Sequence, residues 1–226
     1  MHQPSVEDLR VAAEKNREEL VGYCADLVAA PSENPPGDTR AVAVVVAGWL
    51  DRNGIASRVE AGAPTMPSVL AELDSGRPGP HLVLNVHLDT MPAGVLSDWT
   101  VPVHRLTRRD GRLFGLGMGN MKGAVAAMSW ALVALRDAAP SWSGRVTFAA
   151  VADEVVFGDN GAAFLLRRHP ELYGDALLCG EGPGFRRIAV AEKGVLWLRV
   201  DVRAAGGHSS AVQPGRSAAA VVTEAV

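Results

Sequence analysis

The apolar positions of this chain follow two rhythms. Leu9, Val11, Ala12 and Leu20, continuing to Leu27, recur at helical spacing, and Ser5 with Asp8 supplies an N-cap and an acid in the first turn. Pro31 ends that helix. Prolines at 31, 35 and 36 make 31–38 a loop, and a second helix is predicted over 39–52, with Asp38 as its cap and Gly54 at its C′ position. Residues 55–60 and 68–73 read as short strands, 75–80 as a turn and 81–86 as a buried central strand. The prolines and isolated aromatics of 91–110 predict a long loop able to cover a cleft, followed by a short strand at 112–115. Residues 124–138 are apolar almost all round and predict a helix inside the domain. A strand over 146–152, a helix over 160–169 capped by Asp159 or Asn160, and a strand over 176–180 complete an alternation of strand and helix that fits a doubly wound, mostly parallel α/β sheet.

Near Glu192-Lys193-Gly194 the texture changes. Residues 195–204 alternate, with Leu196, Leu198, Val200 and Val202 on one face, which predicts an antiparallel strand opening a different, α+β sheet. A turn through Pro214-Gly215-Arg216 then leads to a helix starting at Ser217. One strand and one helix cannot close a core, so the expectation is two units, 1–192 and an incomplete 193–226, the rest coming from a partner chain or from further sequence.

The 226 residues are 48% hydrophobic, with 22 basic and 25 acidic side chains. That balance and the scatter of the basic residues exclude a nucleic-acid footprint, and no apolar run reaches membrane length. Two cysteines, Cys24 and Cys179, make no disulfide framework, and the first residues show no basic and apolar leader, so a cytoplasmic location is expected.

Candidate chemistry sits where apolar runs stop. The central strand runs into His87-Leu88-Asp89, residues 146–152 run into Asp153-Glu154, and 176–180 run into Glu181. Singly, each has a structural reading: a hydrogen-bonded histidine, a solvated loop acid. Together they favour a site, because ligand crevices of open α/β sheets lie beyond the carboxyl ends of the strands. For metal-assisted hydrolysis, His87 and Glu181 are the candidate ligands, Asp89 the acceptor that orients the His87 ring, and Glu154 the general base. The glycine-rich 115–123 lacks both the phosphate-loop ending and the dinucleotide spacing, and His208-Ser209-Ser210 lacks the surroundings of a serine nucleophile.

Taken in order, Pro31-Ser32-Glu33-Asn34-Pro35-Pro36-Gly37, His87-Leu88-Asp89, Gly117-Met118-Gly119-Asn120-Met121-Lys122-Gly123, Asp153-Glu154, Gly180-Glu181-Gly182-Pro183 and Gly207-His208-Ser209-Ser210 make the chain resemble a family of di-zinc amidohydrolases and exopeptidases. That family includes acetylornithine deacetylase, succinyl-diaminopimelate desuccinylase, aminoacylase and carboxypeptidase G. The resemblance implies a zinc-exopeptidase-like catalytic domain, a lid domain that also dimerises, and one or two zinc ions, with cobalt or manganese as substitutes. It implies hydrolysis of an amide bond in an N-acyl amino acid or small peptide. On it, His87 and Glu181 ligate one metal with Asn120 as a weak third donor, Asp89 orients His87, Glu154 is the base, and His208 is the lid histidine that stabilises the oxyanion; Lys122 falls on a motif lysine. Three departures accompany it. Asn120 replaces the aspartate that bridges the two metals, Val155 replaces a second ligating glutamate, and the family's returning half, with its last histidine ligand, is not part of these 226 residues. An alternative register, with Asp153 as base and Glu154 as ligand, restores one of the lost ligands. With these losses the chain also fits a silent relative that binds a small molecule or pairs with another subunit.

Overall fold

The computed structural model describes residues 5–138, 142–182, 187–191, 194, 196, 198–204, 208, 210 and 217–225. They fall into two compact units, residues 1–183 and 184–226.

The first unit opens with two helices, α1 (Val6–Lys15) and α2 (Arg17–Ala29), where the apolar spacing predicts one. Ser5 and Asp8 form a reciprocal capping box at the start of α1. The break falls at Asn16, whose side chain donates to the Ala12 carbonyl at 2.9 Å while its own backbone leaves helical geometry. Helix α3 (Arg40–Arg52) follows, with Asp38 accepting the Arg40 backbone N–H at 3.1 Å and Gly54 in the left-handed region. Strands β1 (Ser57–Ala61), β2 (Pro67–Asp74) and β3 (His81–His87) come next, and then a short hairpin of β4 (Thr107–Arg109) and β5 (Arg112–Phe114). The 91–110 segment is therefore less irregular than its prolines suggest: it holds a helical turn at Leu96–Asp98 and strand β4. Helix α4 (Gly123–Asp137), strand β6 (Arg145–Val151), helix α5 (Ala162–Arg168) and strand β7 (Ala176–Cys179) complete the unit.

The main sheet has the order β1-β2-β6-β3-β7. It is mixed, a correction to the mostly parallel expectation: β3 pairs with β6 and β7 in parallel, whereas β1–β2 and β2–β6 are antiparallel. The reason is the 75–80 turn, which carries the chain from β2 across the start of β6 before β3 begins. Gly144 donates its N–H to the Arg77 carbonyl there, and a Cβ on Gly144 would lie 2.1 Å from the Pro80 oxygen, so only glycine fits under the crossing.

Side chains of the central strands alternate between two cores, as strand geometry requires. Val69, Ala71, Leu84, Val86, Val146, Phe148 and Ala150 face one core, built with Leu27, Val46, Leu50, Val125 and Leu132 of the helices. Leu70, Val83, Ala149 and Val151 face the other, against Leu165 and Leu172. Helices thus cover both faces of the sheet around β6 and β3, while Leu177 and Leu178 of β7 remain 63% and 51% exposed.

In the second unit, helix α6 (Ala218–Ala225) forms, with the Ser217 hydroxyl accepting the Ala220 N–H at 3.0 Å. The strand expected over 195–204 is not formed at its described residues, 196 and 198–204, where Leu196, Leu198 and Val200 are exposed. A strand is held by its ladder partner, and no neighbouring strand lies among the described residues of this unit. The expected boundary at 192/193, the turn at 214–216 and Ser209 lie outside the described residues. No helix among the described residues is long and apolar enough to cross a membrane.

Candidate metal centre

The carboxyl ends of the three parallel strands bring the chemistry together. β3 ends on His87; the chain leaving β6 passes through Asp153 and Glu154; the chain leaving β7 reaches Glu181. Nε2 of His87 lies 3.7 Å from Oε2 of Glu154 and 3.9 Å from Oε2 of Glu181, and one donor atom from each of the three residues falls within 4.8 Å of the others.

His87 is fixed from several sides. Its Nδ1 lies 2.8 Å from the backbone carbonyl of Asp89 and 3.5 Å from the Asp89 carboxylate, so the carbonyl is the nearer partner. Its backbone N–H donates to the Met121 thioether. This leaves Nε2 as the nitrogen facing the two glutamates; it is buried and without a hydrogen-bond partner. Burial opposes protonation of the ring, but the Asp89 hydrogen bond and the charges of Glu154, Asp89 and Glu181 outweigh it and raise the His87 pKa.

Asp89 is buried, which raises its pKa, yet the hydrogen bonds from His87, from the Asn34 amide and from the backbone N–H groups of Val155 and Glu154 prevail and hold the carboxyl below its ordinary range. Its oxygens accept those N–H groups at 3.2 Å from Glu154 and 3.0 Å from Val155. Asp153 sits in the left-handed region, φ 59°, and its carboxylate accepts from Asn34 and from the backbone and side chain of Asn160. A Cβ at Gly158 would fall 2.0 Å from that carboxylate, so the loop closes tightly over Asp153. Asp153 therefore points into the protein while Glu154 faces His87.

Asn120 precedes α4, and its amide donates to Oε1 of Glu181 at 2.6 Å, leaving Oε2 toward His87. Val155 contributes only its backbone N–H, to Asp89. Lys122 is buried, with its ammonium on the Ala30 carbonyl at 2.8 Å; burial pushes its pKa down to about 8 against the pull of Glu33. His208 belongs to the second unit, where it is exposed and its Nδ1 lies 2.8 Å from the Ser210 hydroxyl. Asn34, read from the sequence only as part of a proline loop, is 3% exposed and bonded to both Asp89 and Asp153. Its one signal was an amide between acid-flanked prolines, a pattern that gives no direction.

The donor set fits one divalent cation: an imidazole nitrogen with no other partner, flanked by two carboxylates of separate elements. Among the described residues no second group of three such donors is found; Val155 has no side-chain donor, and the Asn120 side chain turns its N–H toward Glu181.

A sheet covered on both faces around its central strands thus carries, at the carboxyl ends of those strands, a histidine and two glutamates that could hold a metal ion. The chain belongs to Peptidase family M20/M25/M40, whose model matches residues 83–225. It is 28% identical over 189 residues to a probable succinyl-diaminopimelate desuccinylase of Staphylococcus epidermidis, covering 78% of this chain and 43% of that one. It is 29% identical over 195 residues to a probable succinyl-diaminopimelate desuccinylase of Staphylococcus aureus, covering 86% and 46%. The chain thus spans less than half the length of these curated relatives. Its fold is shared with an M20 family metallo-carboxypeptidase from Sulfolobus solfataricus (TM-score 0.64, 18% identity, 73% of this chain and 37% of that one). A dinuclear metal binding peptidase of the same family from Bacillus subtilis also shares it (TM-score 0.57, 17% identity, 74% and 43%).

Proposed function

We propose that the chain is the core of a hydrolase for the amide bond of an N-acyl amino acid or small peptide, working with one firmly held divalent cation. Zinc is the first choice for a site of one imidazole and carboxylates, with cobalt or manganese as substitutes. His87 and Glu181 would hold it. Bound there, the cation supplies Lewis-acid polarisation of the scissile carbonyl and lowers the pKa of a water. The protein's own groups do the rest. Glu154 receives the proton of the attacking water and returns it to the leaving nitrogen. Asp89 keeps the His87 ring turned with Nε2 toward the site and holds the Glu154 backbone.

The observation that carries this reading is the buried Nε2 of His87, facing two carboxylates with no hydrogen-bond partner of its own. It is tested by equilibrium dialysis of the purified protein against zinc, cobalt and manganese, with His87→Ala as control, and by turnover of N-acyl amino acids. Equal uptake by wild type and His87→Ala would end it.

A second reading is favoured by Val155 and by the Asn120 amide on Glu181: a silent relative that retains the fold to bind a small amide or to pair with another subunit. Uptake of one equivalent of metal without turnover, and turnover gained in Asn120→Asp with Val155→Glu, would select this reading.

A further inference from the structure

Two buried carboxylates, those of Asp89 and Asp153, stand on either side of the chain that presents Glu154, and a single neutral group lies between them. The Asn34 amide donates to Oδ2 of Asp89 at 3.0 Å and to Oδ1 of Asp153 at 3.1 Å, so both of its N–H bonds are used. Asn34 is itself pinned. Its backbone N–H donates to the Thr90 carbonyl at 2.8 Å, the Thr90 N–H returns to the Ser32 carbonyl at 2.9 Å, and Glu33 forms a parallel bridge to Thr90.

We infer that Asn34 is a positioning residue for Glu154, acting through the two aspartates; this rests on the role given to Glu154 above. Asp153 is the covalent neighbour of Glu154, and Asp89 accepts the N–H of Glu154 itself. The amide therefore ties the loop after β6 to the end of β3 at both points that set the position of the Glu154 side chain. It also screens two like charges, which would otherwise repel in a buried space. No other residue type does this with the same shape: aspartate loses both donors and adds a third charge, leucine loses both donors, and serine retains one.

The test compares wild type with Asn34→Leu and with the smaller Asn34→Ser, which remains available if the leucine variant does not fold. Backbone amide exchange is followed by mass spectrometry. Exchange of peptides covering 153–156 should be about tenfold faster in the variants, with α3 and α4 unchanged. Unchanged exchange at 153–156, or a rise spread evenly over the sheet, overturns the inference. Where turnover is found, Asn34→Ser should lower kcat about a hundredfold with KM unchanged, the signature of a displaced base. Cobalt affinity of Asn34→Ser should stay within about threefold of wild type, since Nδ1 of His87 is held by the Asp89 backbone carbonyl rather than by the carboxylate that Asn34 touches. Lost cobalt binding with unchanged exchange overturns it as well. Wild type that takes up no cobalt counts against the hydrolase reading instead, and the exchange comparison still decides Asn34.

Discussion

The side-chain amide of Asn120 donates to Oε1 of Glu181 at 2.6 Å. A carboxylate at position 120 has no proton to give at neutral pH and would stand against Glu181 as a like charge. Asn120→Asp should therefore lower the melting temperature of the metal-free protein and raise its affinity for zinc about tenfold or more, a carboxylate being the better cation donor. Calorimetric titration with zinc and melting curves with and without metal check this; unchanged zinc affinity would show that position 120 does not reach the cation.

Glu154→Gln should leave metal content intact and remove turnover, because the amide cannot take a proton from water. Metal analysis beside an amide hydrolysis assay separates the two effects. Unchanged turnover would remove Glu154 from its role.

Cation binding should weaken as the pH falls. The His87 pKa is raised, the neighbouring acids outweighing burial, and a cation needs the neutral ring. Protonation thus competes with metal from above the ordinary histidine pKa downward, and the apparent affinity should fall about tenfold per pH unit below the folded-state pKa. In Glu154→Gln one of the charges that raise the pKa is gone, so the onset of the fall should move to lower pH. Cobalt titrations at a series of pH values measure both.

Lys122 gives a stability profile of its own. Its pKa is lowered to about 8 in the folded protein from 10.5. Between these values the unfolded chain binds the proton that the folded one has released, so this group makes stability rise with pH across that window. Lys122→Met should abolish the rise. Urea unfolding at pH 7.5, 8.5 and 9.5 for both proteins shows it as a wild-type-minus-variant difference that rises toward high pH.

Phe148 lies in the core on β6 with no exposed surface, whereas Leu177 on β7 is 63% exposed. Phe148→Ala should cost about 3–5 kcal/mol of unfolding free energy, while Leu177→Ser should stay within about 0.5 kcal/mol. Urea denaturation midpoints distinguish them.

The ends of β3, β6 and β7 were legible in the sequence because each is an apolar run that stops on a ligand-type residue, and strand geometry delivers such endings to one edge of a sheet. His87, Glu154 and Glu181 came from that pattern. What stayed hidden depends on contacts between distant residues. Asp153 and Glu154 are equivalent on paper; the left-handed backbone at Asp153 and its bonds to Asn34 and Asn160 separate them. The break at Asn16 hangs on one side chain turning back to Ala12. The antiparallel pairing of β2 with β6 needs the 75–80 turn to cross over Gly144, which no local pattern announces. The strand expected over 195–204 failed for the converse reason: its alternation was a local signal with no ladder partner among the described residues.

β7 ends the sheet with four residues, all exposed, two of them leucines. Among the described residues β7 is the last strand of the main sheet, and an edge strand bearing exposed leucines is a place where an extended polypeptide can add itself. A lysine introduced at Leu177 should accordingly lower any edge-to-edge association, read by light scattering at high protein concentration.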